Sequence, residues 1–183
     1  MLLLPRSRSE DRQSMLPPWL RRLGLILDYT ATGMLGLAIL VLALIFCLMN
    51  IEIIARSLFG VSTLLSDEYA GYGFAFVICA GLVYAHRSDA LLNVGFGLSL
   101  MSTRIRIAAD TLASIVSLVT AGFAAYAGYS AWSLSWMFGS TSAFASETPL
   151  WLPQLVVPVG FGLLSLSFLE EFMRRLWSRQ GSK

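Results

Sequence analysis

The sequence predicts an all-α membrane protein with four transmembrane helices, and three observations carry that prediction. Of 183 residues, 56% are hydrophobic and 13% charged, whereas soluble domains carry about a quarter charged residues. Four uncharged stretches are long enough, or nearly so, for a bilayer core of about 30 Å, which needs about 20 residues of helix. The basic residues then fall almost entirely on one side of the alternating spans. With a net charge of +2 and no basic cluster interleaved with aromatics, nucleic-acid binding is excluded along with intrinsic disorder and a water-soluble enzyme. Cys47 and Cys79 both lie inside apolar runs, so neither a disulfide framework nor a cysteine-rich metal site is expected.

Residues 1–22 hold five arginines, two acids and a Pro-Pro pair. That pattern, followed by an apolar run longer than a signal-peptide core and without a small-residue cleavage site, makes the first span a retained anchor. Its uncharged stretch, 29–51, has 23 residues, and the span is placed at about 27–52. The second stretch, 69–85, has 17 and is slightly short, so the span is extended to about 66–86. The third, 111–146, has 36, too many for one crossing. The helix is expected to stop near 136–139, where Gly139-Ser-Thr-Ser supplies a break, giving a span of about 110–137. The fourth, about 149–171, carries Pro149 and Pro153 in its first turns, where a missing N–H donor costs least, and Pro158 deeper, where a kink is expected. Gly160 and Gly162 allow close approach of a neighbour. Between the second and third spans, residues 91–106 have too few consecutive apolar residues to cross and read as an amphipathic segment along the interface. The division is thus a cytoplasmic segment 1–22, a membrane domain 23–177 and a cytoplasmic tail 178–183.

Alternating spans place twelve basic residues on one side and Arg56 alone on the other. By the positive-inside rule, both termini and the central loop are cytoplasmic. Trp19 and Trp177 then sit near the inner ends of their spans, and Trp132, Trp136 and Trp151 near the outer ones, as interfacial belts require.

No acid, base or histidine falls near the centre of any span; Asp28, Glu52, Glu68, Asp110 and Glu147 all lie at or beyond span ends. A self-contained ion-coupled transporter keeps an ionisable group or a broken helix near the midplane. One histidine, His86, cannot supply paired haem ligands, and no His and carboxylate cluster suits a metal hydrolase. No enzyme activity and no cofactor are therefore expected. Contact with another membrane protein remains, and small residues recur at helical spacing for it: Gly71, Ala75 and Cys79 in the second span, Thr120, Ala124 and Gly128 in the third. From spacing alone, packing inside the bundle is the favoured reading of these stripes. Glu52 and Arg56 stand i,i+4 on one face, and Glu68 opens the second span within reach of Arg56. These charges read either as snorkelling interfacial groups or as a tie that fixes the outer loop. His86 and Arg87 read as a topological anchor.

Arg56 and Gly60 after the first span, Glu68 opening the second, GLVYAHR at 81–87 and ETPLWLPQLVVPVGFGLLSL at 147–166 follow one another in an order that resembles the small membrane subunit of tripartite ATP-independent periplasmic (TRAP) transporters. The resemblance covers about residues 24–177. It departs from the family's His-aliphatic-x-Val-Asp pattern after the second span, where Leu91 and Gly95 stand at the matching positions. It implies a subunit of a bacterial inner-membrane importer that works beside a large membrane subunit, which holds the substrate and sodium sites, and a periplasmic binding protein that delivers an organic anion. It marks Arg56, Glu68, Gly81, Arg87, Pro153 and Pro158 as structural or interface positions, and spacing adds Glu52, Gly71 and Ala75. Membrane lipid is the other expected partner. The competing expectation is a stand-alone small transporter acting as a homo-oligomer.

Overall fold

The computed structural model describes residues 17–60, 62, 65–88, 103–144 and 146–180. They form α1 (Pro18–Phe59), α2 (Leu65–Arg87), α3 (Thr103–Phe138), a short α4 (Trp151–Gln154) and α5 (Val156–Gln180). Four of these segments are long and apolar enough to cross a membrane, with α4 and α5 together supplying the fourth.

Helix α1 has 42 residues and so measures about 63 Å, twice the thickness of a bilayer core. Pro18 opens it, where the ring's fixed φ suits a first turn and its missing N–H is no loss. Residues 18–22 of the expected N-terminal segment are therefore helical, and Asp28, placed by the sequence at the edge of the span, sits well inside the helix. Gly60 ends it at φ 65°, donating its N–H to the Arg56 carbonyl; a side chain there would be strained, which gives the Arg56 and Gly60 pair a physical reason. The buried positions of α1 include Gly24, Ala31, Ala38, Ile45 and Glu52. They recur every seven residues, the period that keeps one seam against a left-handed partner; Gly24 faces Arg174 and Glu170 of α5, and Ile45 meets Gly73 of α2.

Helix α3 starts at Thr103, so the last four residues expected in the interfacial segment, Thr103 to Arg106, belong to its first turn. Residues 91–102 of that segment, and the N-terminal segment up to residue 16, lie outside the described residues. The helix stops at Phe138, where Gly139 takes φ 57° and Ser140 donates its N–H to the Ser135 carbonyl. This is the break expected from Gly139, closed as a Schellman turn. The loop 139–150 then folds back on itself: Thr141 bridges Pro149, Ser142 N–H donates to the Thr148 carbonyl at 2.9 Å, and Leu150 N–H to the Ser140 carbonyl at 3.0 Å.

The helix is interrupted at Leu155, between α4 and α5, three residues before Pro158, where a kink is expected. A proline ring collides with the carbonyl of the residue four positions earlier, here Gln154, so the ladder breaks upstream of the proline itself. Pro153 lies within α4 and Pro149 before it.

The helices make an open arrangement with α5 at its centre. Helix α1 packs along α2 and α3 along α5, α2 and α5 join the two pairs, and α1 and α3 barely touch. One small cluster draws on all four: Ala31, Val83, Ala121 and Leu164. Gly160 is pressed against α2, where a Cβ would stand 2.6 Å from the Cys79 Cβ, and Gly128 against α5, where it would stand 2.8 Å from Val157. The α3 stripe thus reaches α5 through Gly128, as packing inside the chain requires. The α2 stripe divides: Cys79 is buried on Gly160, Ala75 is half-buried, and Gly71 is exposed with nothing within 4 Å of a Cβ position. Gly81 and Gly162 also have open space beside them, while Gly73, which the spacing passed over, holds Ile45.

Candidate functional site

The polar side chains gather in two clusters separated along the helices. On α2, Glu68 and Arg87 are 19 positions apart, about 28 Å of helix, close to the thickness of a bilayer core. Between the clusters the described spans carry no Asp, Glu, Lys, Arg or His.

The first cluster joins the C-terminal end of α1, the start of α2 and the loop 139–150. Glu52 is 7% exposed because it occupies the next position of the α1 heptad seam. Its Oε1 accepts from Ser62 Oγ at 2.8 Å and from Arg56 Nη2 at 3.4 Å, and Arg56 Nη2 also donates to Ser62 Oγ at 3.0 Å. Glu68, 5% exposed, accepts from Tyr72 OH at 2.7 Å on one oxygen and from Ser146 Oγ at 2.6 Å on the other. Ser146 Oγ also lies 2.8 Å from Thr148 Oγ1, which is 3.3 Å from Tyr69 OH. Arg56 and Glu68, expected to reach one another, therefore pair elsewhere: Arg56 stays on its own helix and the adjoining turn, and Glu68 turns toward the loop. Ser146 is the partner that sequence reasoning missed, since nothing in a 78-residue separation announces a hydroxyl–carboxylate bond.

The tie has a measurable consequence. Glu68→Ala removes the acceptor of two charge-assisted hydrogen bonds and releases the loop, so the amides of Ser142 and Leu150 should exchange with deuterium at least about tenfold faster. Arg56→Ala should leave those amides unchanged, because none of its bonds reaches the loop. Equal exchange in wild type and Glu68→Ala would remove the tie.

The second cluster joins α1, α2 and α5. Arg87 Nε donates to Asp28 Oδ1 at 2.7 Å, Nη1 to Glu170 Oε2 at 2.6 Å and Nη2 to the Gly24 carbonyl at 3.0 Å. Glu170 is 1% exposed and also pairs with Arg174, whose guanidinium lies against Gly24. His86 packs at a 46° tilt against Phe168, with ring centres 4.1 Å apart, and stands 3.5 Å from Glu171. A guanidinium that uses three of its donors on three different groups is more than the topological anchor the sequence indicates. It clamps the end of α2 to α1 and α5. Glu170 was missed altogether. Its signal was present in the buried face of α5, since Gly160, Leu164, Ser167 and Glu170 follow at helical spacing.

Aromatic residues mark both ends. Tyr129, Trp132, Trp136 and Trp151 form a ladder beside the loop 139–150, with successive centroids 5.7, 6.1 and 4.8 Å apart. Trp19 and Trp177 flank a small apolar cleft at the other end.

No group of three or more His, Cys, Asp or Glu side chains that could hold a metal ion occurs among the described residues. The arrangement is that of a membrane subunit braced at both ends of its spans. The chain matches the family described as Tripartite ATP-independent periplasmic transporters, DctQ component, over residues 45–177. It belongs to that family. The match takes in α1 from Ile45 onward, all of α2 and α3, and α4 and α5 as far as Trp177; it holds the first cluster and the α2 and α5 members of the second, while Asp28 and Gly24 lie before it. No curated protein matches the chain. As a DctQ component it is the small permease subunit of a TRAP transporter and a multi-pass membrane protein. The DctQ family is a family of transporter components, not of enzymes.

Proposed function

We propose that this DctQ subunit supports a large permease subunit in the sodium-driven uptake of an organic anion, delivered by a periplasmic binding protein, in a bacterial inner membrane. The observation that carries this reading is the empty midplane: among the described residues the Asp, Glu, Arg and His side chains are at the two ends of the spans and none lies between them. A coupling ion and an anionic solute need polar ligands at membrane depth, and a separate subunit must supply them. The shallow burial of the spans agrees, since only 6–22% of each apolar window is buried within the chain, leaving wide faces for a partner and for lipid. Glu52, Arg56, Gly71, Ala75 and Gly81 are the positions through which assembly is read, with Glu68, Arg87, Pro153 and Pro158 maintaining the shape that docks.

The experiment is uptake in proteoliposomes holding the large subunit and the binding protein under an inward sodium gradient. Adding this chain should raise uptake, the chain alone should give none, and Arg56→Ala should lower co-purification with the large subunit. Transport by the chain alone would establish the stand-alone alternative.

The orientation follows from the twelve-to-one split of basic residues, with both termini inside. Ser142, in the outer loop, is buried and donates its backbone N–H to Thr148, so its exposed neighbour Ala143 is the better reporter. With Cys47 and Cys79 replaced, a single cysteine at 143 should react with an impermeant maleimide in intact cells, and one at 102 should not. The reverse pattern would invert the topology.

A further inference from the structure

Beside the first cluster, between α1 and the start of α2, lies a cleft of about 440 Å³, within the range that holds a small ligand. Its walls carry both signs of charge and an apolar side: Glu52, Arg56, Ser66, Asp67, Met49 and Ile53. Ser66 is 1% exposed, yet its hydroxyl oxygen has no hydrogen-bond partner. Buried hydroxyls are ordinarily paired, and an orphan one lining a cleft is a group held ready for something outside the chain. Asp67 is exposed at the rim. Met49 and Ile53 continue a row of exposed apolar side chains, Leu42 and Phe46, that runs down the same face of α1 toward the middle of the span.

We propose that this cleft is the headgroup site of a zwitterionic aminophospholipid. The ammonium donates to the Asp67 carboxylate, the phosphate accepts from the Ser66 hydroxyl and the Arg56 guanidinium, and one acyl chain lies along Leu42, Phe46, Met49 and Ile53. A lipid explains together what a basic side chain of a partner would explain only in part. The cleft offers a cation as well as anions, it sits at the depth where headgroups lie, and its apolar side leads into the hydrocarbon rather than away from it. The inference goes beyond the transport reading and stands whichever solute is carried.

The test uses the purified full-length chain in mild detergent with equal amounts of phosphatidylethanolamine, phosphatidylcholine and phosphatidylglycerol, read by native mass spectrometry. Phosphatidylethanolamine should be retained about tenfold over phosphatidylglycerol, the factor given by one charge-assisted hydrogen bond. It should also exceed phosphatidylcholine, whose quaternary nitrogen has no N–H to donate. Asp67→Asn should bring the ethanolamine-to-choline ratio toward one. Ser66→Ala, which removes a hydroxyl with no partner to lose, should lower both without unfolding the chain. Equal retention of the three lipids by wild type, or an unchanged preference in Asp67→Asn, would overturn the proposal. So would disappearance of the preference in the complex with the large subunit, which would give the cleft to a protein side chain.

Discussion

Glu170→Ala should prevent recovery of the folded subunit. In wild type both oxygens of this carboxylate are used, one by Arg87 at 2.6 Å and the other by Arg174. Removing it leaves Arg87, 11% exposed at its side chain, with Asp28 and the Gly24 carbonyl alone, and leaves Arg174 against Gly24 without a counter-charge. Breaking a buried pair by deleting one partner costs about 3–5 kcal/mol, because the surviving charge stays desolvated. The same change at Glu171, whose partners are the half-exposed Arg175 and, at 3.5 Å, His86, should cost less, about 1 kcal/mol. Glu170→Gln keeps an acceptor for one guanidinium and should fall between them. Monodisperse yield and thermal midpoint in mild detergent read the difference. A Glu170→Ala subunit as stable as Glu171→Ala would show that the clamp does not hold the helices.

The second large effect is expected at Gly160→Leu. The Cβ alone would stand 2.6 Å from Cys79 Cβ and 3.0 Å from its sulfur, so α2 and α5 must separate. Overpacking of a close contact costs about 1–3 kcal/mol when side chains can adjust. Here the obstacle is a Cβ fixed to the α2 backbone, and the loss should reach the upper end of that range or exceed it. Because α5 is the helix through which the two halves of the chain meet, the damage should extend beyond the contact and lower yield as well as stability. Gly162→Ala, two positions on and facing open space, should be silent. Combining Gly160→Ala with Cys79→Gly exchanges the two side chains across the contact and should restore most of what Gly160→Ala loses, a coupling that a double-mutant cycle measures. Additive effects would deny the contact.

Legibility followed locality. The end of α3 was readable because Gly139 acts through its own φ, and the disturbance around Pro158 because a ring with no N–H breaks a helix wherever it stands. Even there, the displacement of the break to Leu155 follows from the hydrogen-bond register and is intelligible only once the helix is drawn. The open arrangement around α5 was not readable, since lipid-facing and partner-facing side chains in a membrane are equally apolar and hydropathy does not tell them apart. Gly71 and Cys79 stand on one stripe of α2, and only the second meets a neighbour.

The sequence by itself determined how many spans there are, where they begin to fail and that their middles carry no charge. These are sums over consecutive residues, set by the transfer of each side chain out of water. Tertiary structure alone decided the partners of the charges at the span ends. Glu68 has a guanidinium 12 positions away and takes a serine 78 positions away, while Arg87 closes on Glu170 across 83. A carboxylate bonds whatever donor the helix packing turns toward it, and that rotation is fixed by contacts such as Gly160 on Cys79 and the heptad seam of α1, which involve residues remote in the chain.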